Sequence, residues 1–440
     1  MGNSWLFDPL TYVDGVPYER IARLRAESSV QWVDEPEVLG WEQGPGFWAV
    51  LSHDLVGRVL RDADTFSSHL GGTQIRDPGT AEMLGFVQRM MLNQDPPQHS
   101  RLRRLLSKSF TPRAVTALEA SIESRAERIV DGVIDQGEAD FASDIAAELP
   151  LMTLAEIMGV PESDRMLLYD WSNRVIGYQD DEYAVSDAFD PSIATDMARR
   201  SRAIRDGIAV GPDGRLPDPR SREGLADMYA YAHELARYRR RFPGDDVVSI
   251  LLAAEDDEGG ITDTEFETMF FLFAVAGNET LRNAIPSGML ALLDHPDQLA
   301  LLLEDPGLLP GAIEEMLRFC PPVVHFRRTA TRAASLDGVE IAAGDKVVVY
   351  HVAANRDPAV FSQPDVFDIR RSPNDHLSFG SGPHFCLGSH LARRQMSSIF
   401  GQVLPRLSNL RLAGEPERLV SNFQSGVKHL PVAWDRPLGG

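Results

Sequence analysis

One cysteine lies in a sequence setting suited to metal ligation. Cys386 follows a glycine-rich turn that includes Gly380 and Gly382, and it precedes a helical pattern within residues 376–393, HLSFGSGPHFCLGSHLAR. Backbone N–H groups in such a turn and at a helix N-terminus stabilise a thiolate, and a bound metal keeps the sulfur deprotonated. The other cysteine is Cys320, and two cysteines are too few for a disulfide framework or a four-cysteine zinc site. We therefore predict that Cys386 is a thiolate ligand and that Cys320 is structural.

A second candidate site lies where an apolar helical pattern runs into small and polar residues. The sequence there is FETMFFLFAVAGNETLRN, with Ala276, Gly277, Glu279 and Thr280 near its centre. A glycine weakens a helix by about 1 kcal/mol relative to alanine, so Gly277 indicates a packing or functional need. A threonine hydroxyl can bond the carbonyl one turn back and bend the helix. From the residues alone, Thr280 would bond the Ala276 carbonyl, and Glu279, the acid of this acid–alcohol pair, would pair with an arginine.

Two pairs of charged residues recur at helical spacing. Glu315 and Arg318 are three residues apart in EEMLR, and His99 and Arg103 are four apart in DPPQHSRLRR. Each pair shares one helix face. Arginine is well suited to pairing with carboxylates, although surface pairs at this spacing contribute only a few tenths of a kcal/mol. Taken alone, these residues could equally be solvated surface charges.

Together, these motifs resemble the cytochrome P450 superfamily, in particular its soluble bacterial type. The ligand loop has an aromatic residue at Phe379, a glycine at Gly382, a histidine two residues before Cys386 and a glycine two residues after it. The resemblance implies that Cys386 is the axial ligand of the iron in haem b. In that family the thiolate pushes electron density towards O–O cleavage, and O2 is the co-substrate.

The resemblance also implies which other side chains serve the haem. Ala276 and Gly277 lie against its distal face, where Glu279 and Thr280 relay protons during oxygen activation. The remaining cofactor-binding residues are His99, Arg103, Arg328, His384, Phe379, Gly380 and Gly388. The basic members of this set neutralise the two haem propionates, and Arg327 competes with its neighbour for that assignment.

Loop support and substrate contacts are implied in the same way. Glu315, Arg318 and Arg371 would form a buried network that holds the ligand loop in place. Substrate contacts would come from five segments, several of them largely apolar: residues 66–91, 176–237, 269–276, 321–326 and 422–426. A largely apolar pocket suits a hydrophobic substrate that is held mainly by shape.

A narrower resemblance is to the branch that hydroxylates sterol side chains, terpenoids and branched aliphatic chains. It rests on AGNETLRNAIPSGMLALL, MLNQDPPQHSRLRR and SNFQSGVKHLPV. Two features depart from that branch. Pro286 follows the acid–alcohol pair and could bend the helix, and the segment 190–222 is longer than expected. A tailoring oxidase that acts on a bulkier natural product is therefore the competing prediction.

The elements that must position these residues indicate a mainly α fold with a minor β-sheet portion. Alternating residues predict strands at Val30–Asp34 and Phe47–Leu51, and helical periodicity dominates from about Leu55 to Leu303. Further strands are predicted at 339–341, 346–350, 410–412 and 430–432. We expect a single domain over residues 1–440, of which about 30–434 match the family. The resemblance implies a triangular prism-like fold, with haem between the long oxygen-activating helix and the cysteine loop.

Composition limits the function classes and the location. The chain has 65 acidic and 43 basic residues and a formal charge of -22, which argues against nucleic-acid binding. Its N-terminus lacks a basic segment followed by an apolar one, so neither a signal peptide nor a membrane anchor is predicted. Met269–Ala276 is far shorter than the roughly 20 residues of a membrane-spanning helix. We expect a cytoplasmic protein with no membrane span.

Electrons are expected to come from outside the chain, because the sequence carries no Gly-rich nucleotide-binding domain. The expected donors are ferredoxin and ferredoxin reductase, which draw on NAD(P)H. Basic residues that could form their docking face are Arg101, Arg104, Lys108, Arg113 and Arg394. The leading hypothesis is a monooxygenase that inserts one oxygen atom of O2 into a hydrophobic substrate. Alternatives are a non-catalytic haem-thiolate sensor and a peroxide-driven enzyme.

Overall fold

The computed structural model describes residues 3–209, 217–218, 221–256 and 259–436. Parts of the atypical segment 190–222, namely residues 210–216 and 219–220, lie outside the described residues. The α-helices are, in chain order, Tyr18–Glu27 (α1), His53–Arg61 (α2), Ala81–Val87 (α3), Gln98–Ser107 (α4), Pro112–Val133 (α5), Glu148–Met158 (α6), Arg165–Ile176 (α7), Asp181–Ala184 (α8), Asp196–Asp206 (α9), Ala226–Arg241 (α10), Val247–Ala253 (α11), Asp263–Ala276 (α12), Glu279–Asp294 (α13), Pro296–Glu304 (α14), Leu309–Phe319 (α15), His351–Ala354 (α16) and Ser389–Arg406 (α17).

The strands are short, and they contain fewer residues than the helices do. They are, in chain order, Val30–Val33 (β1), Phe47–Val50 (β2), Phe66–Ser67 (β3), Glu138–Asp140 (β4), Glu255–Asp256 (β5), Gly259–Gly260 (β6), His325–Ala330 (β7), Ala334–Leu336 (β8), Val339–Ile341 (β9), Lys346–Tyr350 (β10), Arg411–Leu412 (β11), Glu417–Arg418 (β12), Val427–His429 (β13) and Pro431–Ala433 (β14). This confirms the predicted mainly α class with a minor sheet portion.

The chain forms two compact units, each built from separate stretches of sequence. The first unit comprises Met1–Asp77, Pro112–Leu149 and Thr280–Gly440, and the second comprises Pro78–Thr111 and Pro150–Glu279. The single domain over residues 1–440 stays a prediction. Among the described residues, no helix combines the length and the hydropathy that crossing a bilayer requires.

A five-stranded sheet in the first unit has the order β1-β2-β10-β7-β3. The β2–β10 pairing is parallel and the other pairings are antiparallel. Every residue of β10, KVVVY, is buried, as expected for a central strand with both faces covered. The strands predicted at the N-terminal end correspond to β1 and β2. Those predicted at 410–412 and 430–432 correspond to β11 and β14, which pair antiparallel.

The largest described core cluster of the first unit is helical. It joins apolar side chains from α5, α13, α15 and α17, represented by Ile122, Leu292, Met316 and Phe400, each no more than 1% exposed. Burying apolar area in this way is the main favourable term in folding. The core fixes α15 and α17 against each other, and α17 is the helix that follows the cysteine loop.

In the second unit, α12 packs against α7 and α10, and α10 also packs against α9. Trp171, Tyr231 and Phe270 contact one another there, with centroid distances of 5.5 Å between the first two rings and 6.1 Å between Trp171 and Phe270. The helix α12 begins at a capping box in which Thr262 and Glu265 bond each other's backbone N–H groups. These contacts fix the helix that ends at Ala276.

Candidate active site

The cysteine loop folds back on itself just before α17. The Cys386 N–H donates to the Phe379 carbonyl at 2.9 Å, and the Gly380 N–H donates to the Leu377 carbonyl at 2.9 Å. Gly382 has φ +72°, and a Cβ there would lie 2.6 Å from the Leu60 carbonyl oxygen. Only glycine combines that backbone conformation with such a close approach. The turn therefore places Cys386 directly before the N-terminus of α17, a setting that favours a thiolate.

The two cysteines differ in their suitability as ligands. Cys320 ends α15, and its sulfur is desolvated among apolar side chains. Burial raises the pKa of the Cys320 thiol to about 11, so it stays protonated at neutral pH. Cys386 instead lies in a glycine turn directly before α17. Among the two, Cys386 has the chemistry of an iron ligand.

The strand β7 carries two buried arginines whose environments differ. Arg327 donates to Asp77 at 2.6 Å and to the Ile75 carbonyl at 3.2 Å, so its charge is already paired. Arg328 is 3% exposed and donates to the Arg327 carbonyl at 2.8 Å. Adjacent strand residues point to opposite faces. Since Arg327 is held by Asp77, Arg328 is the better suited of the two to an anionic group of a cofactor.

A buried histidine, His351, lies near Arg328. His351 is buried, and burial followed by the positive charge of Arg328 lowers its pKa to about 4. His384 Nε2 lies 3.3 Å from the Ser68 hydroxyl. A buried guanidinium requires an anion, which haem propionates supply. The residues of the first unit thus fit haem: a cysteine in a helix-start turn, a buried arginine and a nearby histidine.

Glu315, Arg318 and Arg371 lie together in the first unit. The Arg318 guanidinium donates to both Glu315 carboxylate oxygens, at 2.8 and 2.7 Å, and both side chains are fully buried. Arg371 Nε lies 3.2 and 3.1 Å from the same two oxygens. The Asp368 N–H and the Asn374 amide complete the set of donors to this carboxylate. A buried ion network with every lone pair satisfied is rigid.

Asn355 connects this network to the cysteine loop, and sequence analysis missed it. Its carbonyl accepts from Arg318 at 2.9 Å, and its side-chain oxygen accepts from the Leu377 N–H at 2.8 Å. Its amide donates to the Ser378 hydroxyl at 2.7 Å, which in turn donates to the Leu317 carbonyl. The available signal was the polar run Asn355–Arg356–Asp357, directly after a strongly apolar strand and a short helix. Asn355 thus joins α15 to the residues that precede Cys386.

A second cluster, also missed, holds the aromatic ring of the loop. The Arg393 guanidinium lies 4.4 Å from the centroid of the Phe379 ring, within the range of a cation–π contact. Glu314 accepts from Arg393 at 2.5 and 2.8 Å and lies 3.2 Å from His376 Nε2. Burial would raise the pKa of Glu314, but the hydrogen bonds from Arg393 and His376 outweigh it and lower the pKa to about 2. Glu314 is therefore ionised at neutral pH.

The helical pattern around the acid–alcohol pair is interrupted rather than continuous. The helix α12 ends at Ala276, and α13 begins at Glu279. Ala276 and Gly277 are exposed although Val275 and Asn278 on either side are buried. A Cβ on Gly277 would lie 2.8 Å from Leu154 Cδ1, which supplies a packing reason for this glycine. The break brings a short stretch of small residues to the surface of the second unit, where a ligand can approach the backbone.

The acid–alcohol pair itself differs in burial. Glu279 is fully buried and Thr280 is partly buried. Pro286 lies within α13, beyond the interruption. The helix α13 continues through Pro286, and the observed interruption lies earlier, between Ala276 and Glu279. The proton-relay role of the pair stays a prediction.

Basic residues on α4 fall into different environments. His99 is 2% exposed and Arg103 is partly buried, and their assignment to the propionates stays a prediction. Arg101 is 9% exposed and pairs with Glu265 at 2.6 Å. Arg394 pairs with Glu119 at 2.7 Å. Arg101 and Arg394 are therefore already paired with acidic side chains, and the Lys108 side chain lies outside the described part of the structure. The docking face stays a prediction.

The five predicted substrate segments meet one another within their own units. In the second unit, Phe86, Tyr229 and Phe271 come from three of these segments and form one aromatic cluster. In the first unit, the segments 321–326 and 422–426 run together. There the Val324 N–H donates to the Phe423 carbonyl at 2.9 Å, and the rings of Phe326 and Phe423 are 5.7 Å apart. Each unit thus brings aromatic side chains of these segments together, and their role as substrate contacts stays a prediction.

Comparison with known proteins supports the interpretation of the loop. A sequence model of the cytochrome P450 family matches residues 302–422. The chain is 35% identical to a Rhodococcus jostii protein named steroid C26-monooxygenase, over 98% of this chain and 85% of that protein. It is 37% identical to the methyl-branched lipid omega-hydroxylase of Mycobacterium tuberculosis, over 96% of this chain and 92% of that protein.

A solved structure agrees with these sequence matches. A Mycobacterium marinum cytochrome P450 in complex with pseudoionone has a TM-score of 0.80 to this chain at 35% identity, with 96% of each chain covered. Both the sequence relatives and this structure match over nearly the full length of the chain. The setting of Cys386, the fold and these matches agree: the chain belongs to the cytochrome P450 family and is a cytochrome P450 monooxygenase.

Proposed function

We propose that this monooxygenase hydroxylates an aliphatic carbon of a sterol, a terpenoid or a branched lipid chain. The observation that carries the proposal is the setting of Cys386, a cysteine in a glycine turn at the start of α17, tied through Asn355 to a buried ion network. The substrate class is supported by the printed names of the relatives, which describe a steroid monooxygenase and a branched-lipid hydroxylase. The apolar character of several of the five contact segments agrees with it.

Residues around the cysteine loop would bind the haem and hold the loop in place. Haem, when bound through Cys386, supplies reductive activation of O2, with one oxygen atom going to the substrate and the other to water. Arg328 and His384 would hold its propionates, and Phe379, Gly380 and Gly388 would line the ligand side. The network of Glu315, Arg318 and Arg371 keeps the Cys386 loop in one conformation.

Proton movement is assigned to the acid–alcohol pair. The Glu279 carboxyl is fully buried, so a proton that it accepts or donates must come through hydrogen-bonded neighbours rather than from bulk water. The Thr280 hydroxyl can both accept and donate a hydrogen bond. We assign Thr280 to holding a proton donor close to the site of oxygen activation and Glu279 to resupplying it. The small residues Ala276 and Gly277 would leave room for O2 against the helix.

Electrons are proposed to come from a ferredoxin and its NAD(P)H-dependent reductase. An acidic ferredoxin requires unpaired basic residues, and Arg101 and Arg394 are already paired with glutamates. The exposed basic residues Arg104 and Arg113 are the better suited members of the predicted set. Donor binding that weakens as ionic strength rises would support this contact.

Two measurements test the proposal. Titration of the purified holoprotein with sterols, terpenes, branched fatty acids and macrocyclic natural products should give haem absorption shifts mainly with the first three classes. Turnover with a surrogate ferredoxin, its reductase and NADPH should then give a hydroxylated product. Shifts and product only with macrocycles would overturn the substrate class in favour of a natural-product tailoring enzyme.

A further inference from the structure

One aromatic cluster of the second unit joins three of the predicted substrate segments. Phe86 on α3 lies 6.1 Å from Tyr229 on α10 and 6.2 Å from Phe271 on α12, measured between ring centroids, in edge-to-face geometry. The three side chains are 8%, 3% and 6% exposed, respectively. Aromatic surfaces in this arrangement suit an apolar skeleton. The cluster is thus a defined part of the region where a hydrophobic substrate is expected.

The Tyr229 hydroxyl is the polar atom of this cluster. It is buried, and within the described parts of the chain it has no hydrogen-bond partner. A buried hydroxyl without a partner is costly, and such groups in native proteins usually have an explanation. Tyr231, two residues further along the same helix, donates to an Asp164 oxygen at 2.9 Å. The helix α10 therefore pairs one buried tyrosine hydroxyl within the protein and leaves the other available.

The charges around Tyr229 define what its hydroxyl can bind. Burial and then the Glu267 carboxylate raise the pKa of Tyr229, so the hydroxyl keeps its proton. Glu267 accepts from Arg222 at 2.6 Å and from His233 at 2.8 Å. The Arg222 guanidinium also lies 5.4 Å from the centroid of the Tyr229 ring. Because Arg222, the cation beside Tyr229, is already paired with Glu267, the Tyr229 hydroxyl favours a neutral oxygen of a ligand over a carboxylate.

We propose that the Tyr229 hydroxyl donates a hydrogen bond to a neutral keto or hydroxyl oxygen on the apolar skeleton of the substrate. This inference rests on the proposed function, because it concerns the substrate of that same enzyme. It narrows the substrate class to oxygen-bearing terpenoids or sterols. A plain hydrocarbon chain would leave the hydroxyl unpaired and bind less tightly.

The test is a set of matched ligand pairs titrated against the holoenzyme, with the dissociation constant taken from the haem absorption shift. One pair is pseudoionone and the hydrocarbon in which two hydrogens replace its keto oxygen, and a second pair is a steroid ketone and its deoxy analogue. In each pair that binds, wild type should prefer the ketone by about tenfold. Tyr229→Phe should reduce this ratio to near one, mainly by weakening ketone binding.

Two tyrosines of α10 supply matched controls. Tyr238 is 51% exposed, and Tyr238→Phe should leave the ketone preference unchanged. Tyr231→Phe removes the bond to Asp164, so it should lower the thermal midpoint and leave the preference unchanged. These variants separate a substrate contact from a general effect on the helix.

The outcomes distinguish this inference from the function on which it rests. Equal binding of ketone and hydrocarbon by wild type, or an unchanged ketone preference in Tyr229→Phe, overturns the role of Tyr229 while the proposed function stands. Tighter binding of the matching carboxylic acid would overturn the neutral-oxygen assignment. If wild type gives no absorption shift with any hydrophobic ligand, the proposed function and the inference fail together.

Discussion

Replacing Glu315 by Gln tests whether the buried ion network holds the cysteine loop. The substitution keeps the shape of the side chain and removes its negative charge. Both carboxylate oxygens of Glu315 accept from Arg318 and lie close to Arg371 Nε. The Gln amide nitrogen is itself a donor, so in either orientation it would face at least one of these arginines. Arg318, which is fully buried, would then lack its anion.

The expected cost follows from that burial. Removing one partner of a buried ion pair typically destabilises a protein by about 3–5 kcal/mol. Typical domains have about 5–15 kcal/mol of total stability, so this is a large share. Glu314, the adjacent residue, is a matched control because its pairing with Arg393 is about one-third exposed, at 30% and 35%. Glu314→Gln should cost only about 1 kcal/mol, since water screens such pairs.

The assay is urea unfolding of the two variants and wild type as holoproteins, followed by tryptophan fluorescence, with midpoints and slopes fitted together. Glu315→Gln should unfold at a much lower urea concentration than Glu314→Gln. It should also show less of the thiolate-ligated absorption band in its reduced carbon monoxide complex. If the two variants differ in stability by less than about 1 kcal/mol, the network is not the support of the loop that its burial indicates.

Three further predictions concern the acid–alcohol pair, acid stability and the glycine turn. Thr280→Ala should lower NADPH-driven product formation by at least about tenfold, and unchanged product yield would favour peroxide-driven catalysis. Burial would raise the pKa of Glu314, but the Arg393 hydrogen bond lowers this pKa from the usual 4.5 to about 2. The ionised Glu314 carboxylate therefore stabilises the folded protein fully at pH values above 4.5. That contribution should be lost as pH falls towards 2, and wild type should lose more stability than Glu314→Gln in acid unfolding curves. Gly382→Ala places a Cβ 2.6 Å from a backbone oxygen at φ +72°, so the purified protein should carry markedly less haem per chain, by absorbance. The matched control is Gly401→Ala on α17, where a Cβ meets no atom within 4 Å.

The parts of the fold that sequence analysis predicted are those with local signals. Alternation between apolar and polar residues located β1 and β2, and the glycines around Cys386 located the ligand loop. The strand β7 was missed because its sequence, HFRRTA, carries two arginines that are both buried. Alternation of apolar and polar residues cannot predict a buried arginine, because the charge of Arg327 is neutralised by Asp77, more than 200 residues away in sequence.

The site shows the same limit. The spacing of Glu315 and Arg318 indicated a shared helix face, and the resemblance added Arg371. Asn355 escaped notice because its contacts join α15 to the cysteine loop over long sequence distances. Such hydrogen bonds depend on tertiary placement and leave no periodic trace in the sequence. The choice between Arg327 and Arg328 likewise required their partners to be seen.

The most direct test of the central claim is the absorption spectrum of the reduced carbon monoxide complex. Thiolate ligation by Cys386 predicts a red-shifted Soret band in wild type. It also predicts loss of that band in Cys386→Ala and its retention in Cys320→Ala. A wild-type spectrum without the shifted band, or a shifted band that survives Cys386→Ala, would contradict the assignment of Cys386 as the iron ligand.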